Sequence, residues 1–204
     1  MSRFARRNHL LLALAAALAA LSITGAAVTG APDSRLAPQR SAAAKVSAED
    51  RQILAGRQLA MPVRGVAAKS LVDNFDEGRG SRKHEAIDIL APRGTPVVAV
   101  DDGRVARLFR SAAGGITVYQ FDRDEKFVYY YAHLDRYASG LREGAMLKRG
   151  EPLGEVGTTG NAPKNTPHLH FTIFRMGPEK RWWKGTAINP YPFLTANPVP
   201  IPGG

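Results

Sequence analysis

A mostly β, antiparallel domain with a short N-terminal helix is the fold class this sequence predicts, and three observations predict it. Short runs rich in Val, Ile, Tyr, Phe and Thr recur between about Met61 and Leu194. Gly and Pro punctuate them roughly every eight to fifteen residues, and helical periodicity is confined to one segment at the margin. In chain order, residues 28–46 show no periodicity and read as a linker. Ser47-Ala-Glu-Asp50 is a capping-box pattern that opens a helix reaching about Leu59 and stopped by Pro62. The β-prone runs follow: Val97–Val100, Gly103–Leu108, Ile116–Phe121, Phe127–Tyr131 and His168–Ile173, with turn signals at Asp101-Asp-Gly103 and Arg123-Asp124. The tail from Asn197 to Gly204 is rich in proline and reads as frayed. The expected divisions are a leader over 1–27, a linker and short helix over 28–60, a β domain over 61–195 and a proline-rich tail over 196–204. No internal repeat is present.

At 204 residues, 44% of them apolar and 23% charged, the chain is long enough to bury one sizeable core. Its formal charge is +10. Three of the positive charges (Arg3, Arg6 and Arg7) lie in the leader, and without them 25 Lys+Arg face 18 Asp+Glu, a balance of +7. Such a surface serves solubility and also favours polyanions: nucleic acid, anionic lipid or an acidic cell-wall polymer. No basic stretch interleaved with stacking aromatics supports nucleic acid as a partner. The absence of cysteine excludes disulfides and thiolate metal sites, so any metal is held by nitrogen and oxygen.

The leader combines Arg3, Arg6 and Arg7 with an apolar run from Leu10 to about Ile23 and a small-residue exit at Gly25-Ala-Ala27. That order reads as a secretory signal cleaved after Ala27, with Ala31 as a second candidate. The rival reading is an uncleaved anchor, which the run favours less because it is shorter than the ~20 residues of a membrane span. A membrane partner follows only if the leader stays. Either way the folded part is expected outside the cytoplasm, in the periplasm or cell envelope.

The histidines carry the chemistry. There are five, and His9 belongs to the leader. The other four fall in His84-Glu-Ala-Ile-Asp88, Tyr131-Ala-His133 and His168-Leu-His170. Two imidazoles and a carboxylate closing on one zinc leave a fourth position for water, the catalytic form of such a site. Each motif alone is unremarkable: an H-x-x-x-D is ordinarily a surface ion pair and an H-L-H a partly buried strand pair. What counts is that every histidine beyond the leader takes part.

Strand residues two apart share a face with ~6.6 Å between their Cα atoms. His168 and His170 therefore look one way while Leu169 and Phe171 look toward the core. Placing both imidazoles on one ion strains that spacing, so one histidine is expected on the metal and the other beside the open position. His84 and Asp88 would stand ~13 Å apart in an extended chain, so Asp88 is expected to begin a strand and His84 to lie on a loop curling back over it. Gly78-Arg-Gly80-Ser supplies the flexibility. Tyr129, Tyr130 and Tyr131 read as sheet filler, and Trp182-Trp183 as a packed pair or cleft lining alike.

These residues in this order resemble the M23 family of zinc metallopeptidases, the lysostaphin and LytM type. The resemblance runs from about Asp73 to Phe174. It extends through Ala91-Pro-Arg-Gly-Thr-Pro-Val97, Gly103-x-Val105, Tyr131-Ala-His133-Leu, Leu147-Lys-x-Gly150, Gly157-x-Thr159-Gly and Pro167-His-Leu-His-Phe171. It implies a sandwich-like antiparallel LytM-type domain, Zn2+ held by His84, Asp88 and His170, and His133 and His168 as catalytic residues. The activity implied is zinc-dependent endopeptidase cleavage of peptidoglycan cross-links, with the peptide stems as partner and the D-Ala–diaminopimelate bond preferred to glycine bridges. The alternative is a non-catalytic M23-like wall-binding module that activates a separate amidase. All five site positions are intact, which favours the enzyme. The chain departs from the family pattern at Ala86, at Thr172, at Gly114-Gly-Ile and between Asn161 and Thr166, which bears on substrate preference. Nothing in the residues speaks to oligomeric state.

Overall fold

A computed structural model describes residues 39–40 and 46–196. The expected leader, nearly all of the expected linker and the proline-rich tail lie outside them. The described residues form twelve strands and two helices. In order these are β1 (Gln39–Arg40), α1 (Ala48–Arg57), β2 (Gly78–Arg79), β3 (Arg82–Lys83), β4 (Ile87–Leu90), β5 (Pro96–Val98), β6 (Gly103–Ser111), β7 (Gly115–Asp122), β8 (Phe127–Tyr137), β9 (Met146–Leu147), β10 (Pro152–Val156), β11 (His168–Met176), β12 (Lys184–Ile188) and α2 (Tyr191–Thr195). The helix begins at the capping box: Ser47 Oγ accepts from Asp50 N, and Asp50 Oδ2 accepts from Ser47 N, both at 3.0 Å.

The main sheet runs β1-β12-β11-β8-β7-β6-β9, with β4 paired to β11 and β10 joining β8 to β5. Every pairing is antiparallel except β1 with β12. The sandwich-like antiparallel β architecture expected from the sequence is therefore present. Its two faces follow from the side-chain period of two. On one face Leu169, Phe171 and Ile173 of β11 and Phe127, Tyr129 and Tyr131 of β8 pack with Val97, Leu153, Leu54 and Leu59 in the principal core. The helix thus packs into the same core as the strands. On the other face Tyr119, Phe121, Val128, Tyr130, Ala132 and Met176 form a smaller cluster under Phe109, Phe174 and Trp182. Each large side chain taken fully from water contributes ~1.5–3 kcal/mol.

The buried tyrosines keep their hydroxyls satisfied. Tyr129 donates to Asp101 Oδ2 at 3.0 Å and Tyr131 to Gln120 Oε1 at 2.7 Å. Arg57, at the end of α1, reaches Asp122 at 2.8 Å, Asp124 at 2.5 Å and Asp101 at 3.5 Å, tying the helix to the sheet. No helix among the described residues is long and apolar enough to cross a membrane.

Candidate metal centre and its cleft

The register of β11 against β4 sets His170 directly opposite Asp88, so their side chains leave the sheet side by side. His170 also faces Ala132 of β8, whose small side chain keeps the other flank open. Just before β4, Glu85 takes a left-handed backbone (φ 58°). That turn brings His84 back over the start of the strand, as its four-residue separation from Asp88 requires. Three ligand atoms then converge: His84 Nε2 lies 3.0 Å from Asp88 Oδ1 and 3.1 Å from His170 Nδ1, and His170 Nδ1 lies 3.1 Å from Asp88 Oδ1. Among the described residues these three make up a group able to share one ion.

The donor set fits zinc. A tetrahedral ion with ~2.0–2.1 Å bonds has ligand–ligand edges of ~3.3 Å, close to the separations found. The tautomer agrees as well. His84 Nδ1 lies 3.0 Å from the Asn74 carbonyl, which only accepts, so Nδ1 carries the proton and Nε2 turns a lone pair inward. Asn74 acts twice, since its side-chain oxygen accepts from Asp88 N at 3.2 Å. Arg79 donates to Asp88 Oδ2 at 3.0 Å, leaving Oδ1 for the cluster.

His133 and His168 stand beside this cluster. His168 Nε2 is 3.7 Å from Asp88 Oδ1, and the His133 ring lies 5.0 Å from that of His168 and 5.5 Å from that of His170. Strict alternation along β8 would turn His133 toward the principal core with Tyr129 and Tyr131. Instead the ladder slips between β7 and β8, and between β10 and β8, beside this residue, and His133 takes φ 60°. A bulge of this kind re-aims one side chain, here into the cleft. The ring is then pinned: His133 Nδ1 donates to the Thr159 carbonyl at 2.8 Å, and His168 Nδ1 donates to the Thr166 carbonyl at 2.8 Å. Both therefore present Nε2 without its proton. Burial, helped by the neighbouring His170, pushes the His133 imidazole down to about 4.

Thr159 is held as firmly as it holds. Its hydroxyl accepts from Ile116 N at 2.9 Å and donates to the Leu134 carbonyl at 2.7 Å. A side chain on Gly115 or Gly160 would collide with the other's backbone, and both have positive φ, so the two glycines let this loop lie against the β6–β7 turn.

All five residues singled out from sequence thus line one cleft of about 650 Å³. Tyr130 lines it too, while Tyr129 and Tyr131 are core residues. Trp182 packs on Phe109 and Tyr119 and is not among the lining residues. Sequence reasoning does not reach Asn74, Arg79 or Thr166. Thr159 carried a signal in Gly157-x-Thr159-Gly. Thr172 lies two residues beyond His170 on the lining, and its buried hydroxyl has no hydrogen-bond partner among the described residues.

The profile of Peptidase family M23 matches residues 82–190. An L-Ala–D-Glu endopeptidase of Bacillus subtilis is 32% identical over 122 residues, covering 57% of this chain and 36% of that protein. The murein hydrolase activator NlpD of Salmonella dublin is 28% identical over 124 residues, covering 61% of this chain and 29% of that protein. A solved structure of a candidate glycyl-glycine endopeptidase LytM from Ruminococcus gnavus superposes with a TM-score of 0.55 at 29% identity, covering 69% of this chain and 59% of that one. The chain spans about a third or less of the length of these curated relatives.

Proposed function

Because this chain belongs to peptidase family M23, we propose that it is a zinc-dependent endopeptidase that hydrolyses peptide bonds in the cross-links of peptidoglycan. The observation that carries this reading is the completeness of the site. Three inward donors stand 3.0–3.1 Å apart, beside two imidazoles whose Nδ1 protons are already committed to backbone carbonyls. A module that only binds and activates has no use for the second pair.

Zn2+ held by His84 Nε2, Asp88 Oδ1 and His170 Nδ1 supplies Lewis acidity, which lowers the pKa of a water and polarises a carbonyl. The chain's own residues do the rest. Asn74 fixes the His84 tautomer, and Arg79 occupies the far oxygen of Asp88. His133 and His168 each offer a bare Nε2 that takes a proton from the attacking water or returns one to the leaving amine. With its imidazole pushed down to about 4, His133 is neutral at neutral pH and gives up a gained proton readily. The zincin arrangement assigns this work to a glutamate on an H-E-x-x-H helix, which this chain lacks, so the histidines take it over.

Export to the cell envelope follows from the leader's pattern, and the peptide stems of the wall are the partner this reading requires. The D-Ala–diaminopimelate bond is the preferred target. The rival reading, activation of a separate amidase, draws on the relative named as a murein hydrolase activator. Incubating the zinc-loaded protein with purified sacculi and profiling the released muropeptides separates the two. Falling cross-link content supports the endopeptidase. Unchanged cross-links together with stimulated amidase release would replace it with the activator.

A further inference from the structure

The two walls of the cleft differ in charge. Arg79, Arg82 and Lys83 line one side, all carried by the β2–β3 hairpin. On the facing side the lining residues Asn161, Ala162, Pro163 and Thr166 are uncharged, as are Ala113 and Gly114, while Lys164 among them is not on the lining and donates to the Thr158 carbonyl at 3.1 Å. The only acids on the lining are Asp88, which belongs to the metal cluster, and Glu85.

The hairpin's residues are not explained by packing. All six positions from Gly78 to Lys83 are exposed, its turn is made at Gly80 with φ 65°, and none of its side chains enters either core cluster. Its base is nevertheless fixed beside the cluster by His84 N donating to the Glu77 carbonyl at 2.8 Å. Two of its cations are engaged, Arg79 with Glu77 and Asp88 and Lys83 with Asp76. Arg82 pairs with Arg79 through the backbone, but its side chain makes no ion pair or hydrogen bond with the described residues, although it borders the cleft. An arginine held at the edge of a peptide cleft and left without an acid is suited to a bidentate carboxylate.

We propose that Arg82 on the β2–β3 hairpin reads a free carboxylate of the bound peptide, so that the cleft takes anionic stem peptides in preference to neutral glycine bridges. The inference deepens the peptidase reading by naming a substrate class, and its test is one of binding. Three carboxylates of a diaminopimelate stem tetrapeptide offer this chemistry: the α-carboxyl of D-glutamate, the free carboxyl of diaminopimelate and the terminal carboxyl of D-alanine.

The test uses the full chain, zinc-loaded and carrying His133→Ala so that bound peptide survives. Calorimetry measures four synthetic diaminopimelate stem tetrapeptides: the free acid, the D-glutamate carboxamide, the diaminopimelate carboxamide and the C-terminal carboxamide. The free acid should bind about 3- to 10-fold more tightly than one of the three amides, and that amide identifies the carboxylate read. Adding Arg82→Gln should bring acid and amide within about 2-fold, and Arg82→Lys should restore part of the gap. Raising the salt concentration should narrow it as well. Equal binding of all four peptides, no binding by any of them, or a gap that survives Arg82→Gln overturns the proposal. Absence of sacculus hydrolysis with the acid preference intact would reject the endopeptidase reading alone.

Discussion

Strand β8 borders two polar clusters, one around Arg57 and one around Asp88, and they are organised on opposite principles. Around Arg57 every acid meets a donor. Asp122 accepts from Lys126 N and Phe127 N at 2.8 Å as well as from Arg57, and Asp101 accepts from the Tyr129 hydroxyl and Asp102 N. Around Asp88 two inward imidazole nitrogens and a carboxylate oxygen lie 3.0–3.1 Å apart, and no cationic donor among the described residues stands between them. The first cluster is complete within the fold and clamps a helix. The second has the geometry of three ligands able to share one ion. Polar groups brought together without a complementary donor cost stability, so such an arrangement is the one a proposed metal site requires.

Substitutions can break that contrast. The largest effect is expected at the open cluster: His170→Ala should abolish stoichiometric zinc in elemental analysis and all sacculus hydrolysis, while the thermal midpoint of the metal-free protein stays within a few degrees. Retained zinc would contradict the assigned ligand set. Next, His133→Ala should keep zinc and lose about 10²- to 10⁴-fold in kcat. Arg57→Met should show the reverse pattern. It leaves Asp101 and Asp122 buried without their cation and costs about 3–5 kcal/mol in denaturant melts, with zinc affinity unchanged.

Burial already pushes both of those carboxyls upward. The stability tied to their protonated form is present below the ordinary carboxylate value and is lost as pH rises through the raised one. The Arg57→Met variant should therefore recover stability on acidification from pH 7. His133 has the opposite sign. Its folded value is depressed from 6.5 to about 4, so its contribution is present above 6.5 and is lost as pH falls from there toward 4. Melts of the metal-free protein should show that slope, and His133→Ala should flatten it. The smallest effect is at the helix start, where Ser47→Ala should cost about 1 kcal/mol and touch neither cluster.

The sequence reveals these two clusters unequally. Wherever a local period carries the information, residues announce their places. His168 and His170 share a face because strands alternate, Leu169 and Phe171 enter the core for the same reason, and Ser47 with Asp50 marks the helix start. His84 and Asp88 are legible as a loop and a strand start because four residues span too far when extended. What resists reading is set by register between distant strands or by the backbone. The slip that turns His133 into the cleft depends on how β7 and β10 meet β8. The groups that fix the imidazole tautomers, at Asn74, Thr159 and Thr166, are carbonyls that every residue type possesses. The Arg57 cluster joins residues 44 to 67 positions apart with no motif to mark them.

The left-handed backbone at His133 has a consequence for how this protein changes under selection. A residue other than glycine at φ 60° is held there by its surroundings at some cost, and glycine would adopt that geometry without strain. Relief of that strain alone would then favour His133→Gly, a variant with a calmer backbone that gives up the buried ring, its hydrogen bond to the Thr159 carbonyl and the proposed proton carrier. Any effort to make a hardier form of this protein has to screen for turnover at every round, because at position 133 backbone ease and chemistry pull in opposite directions.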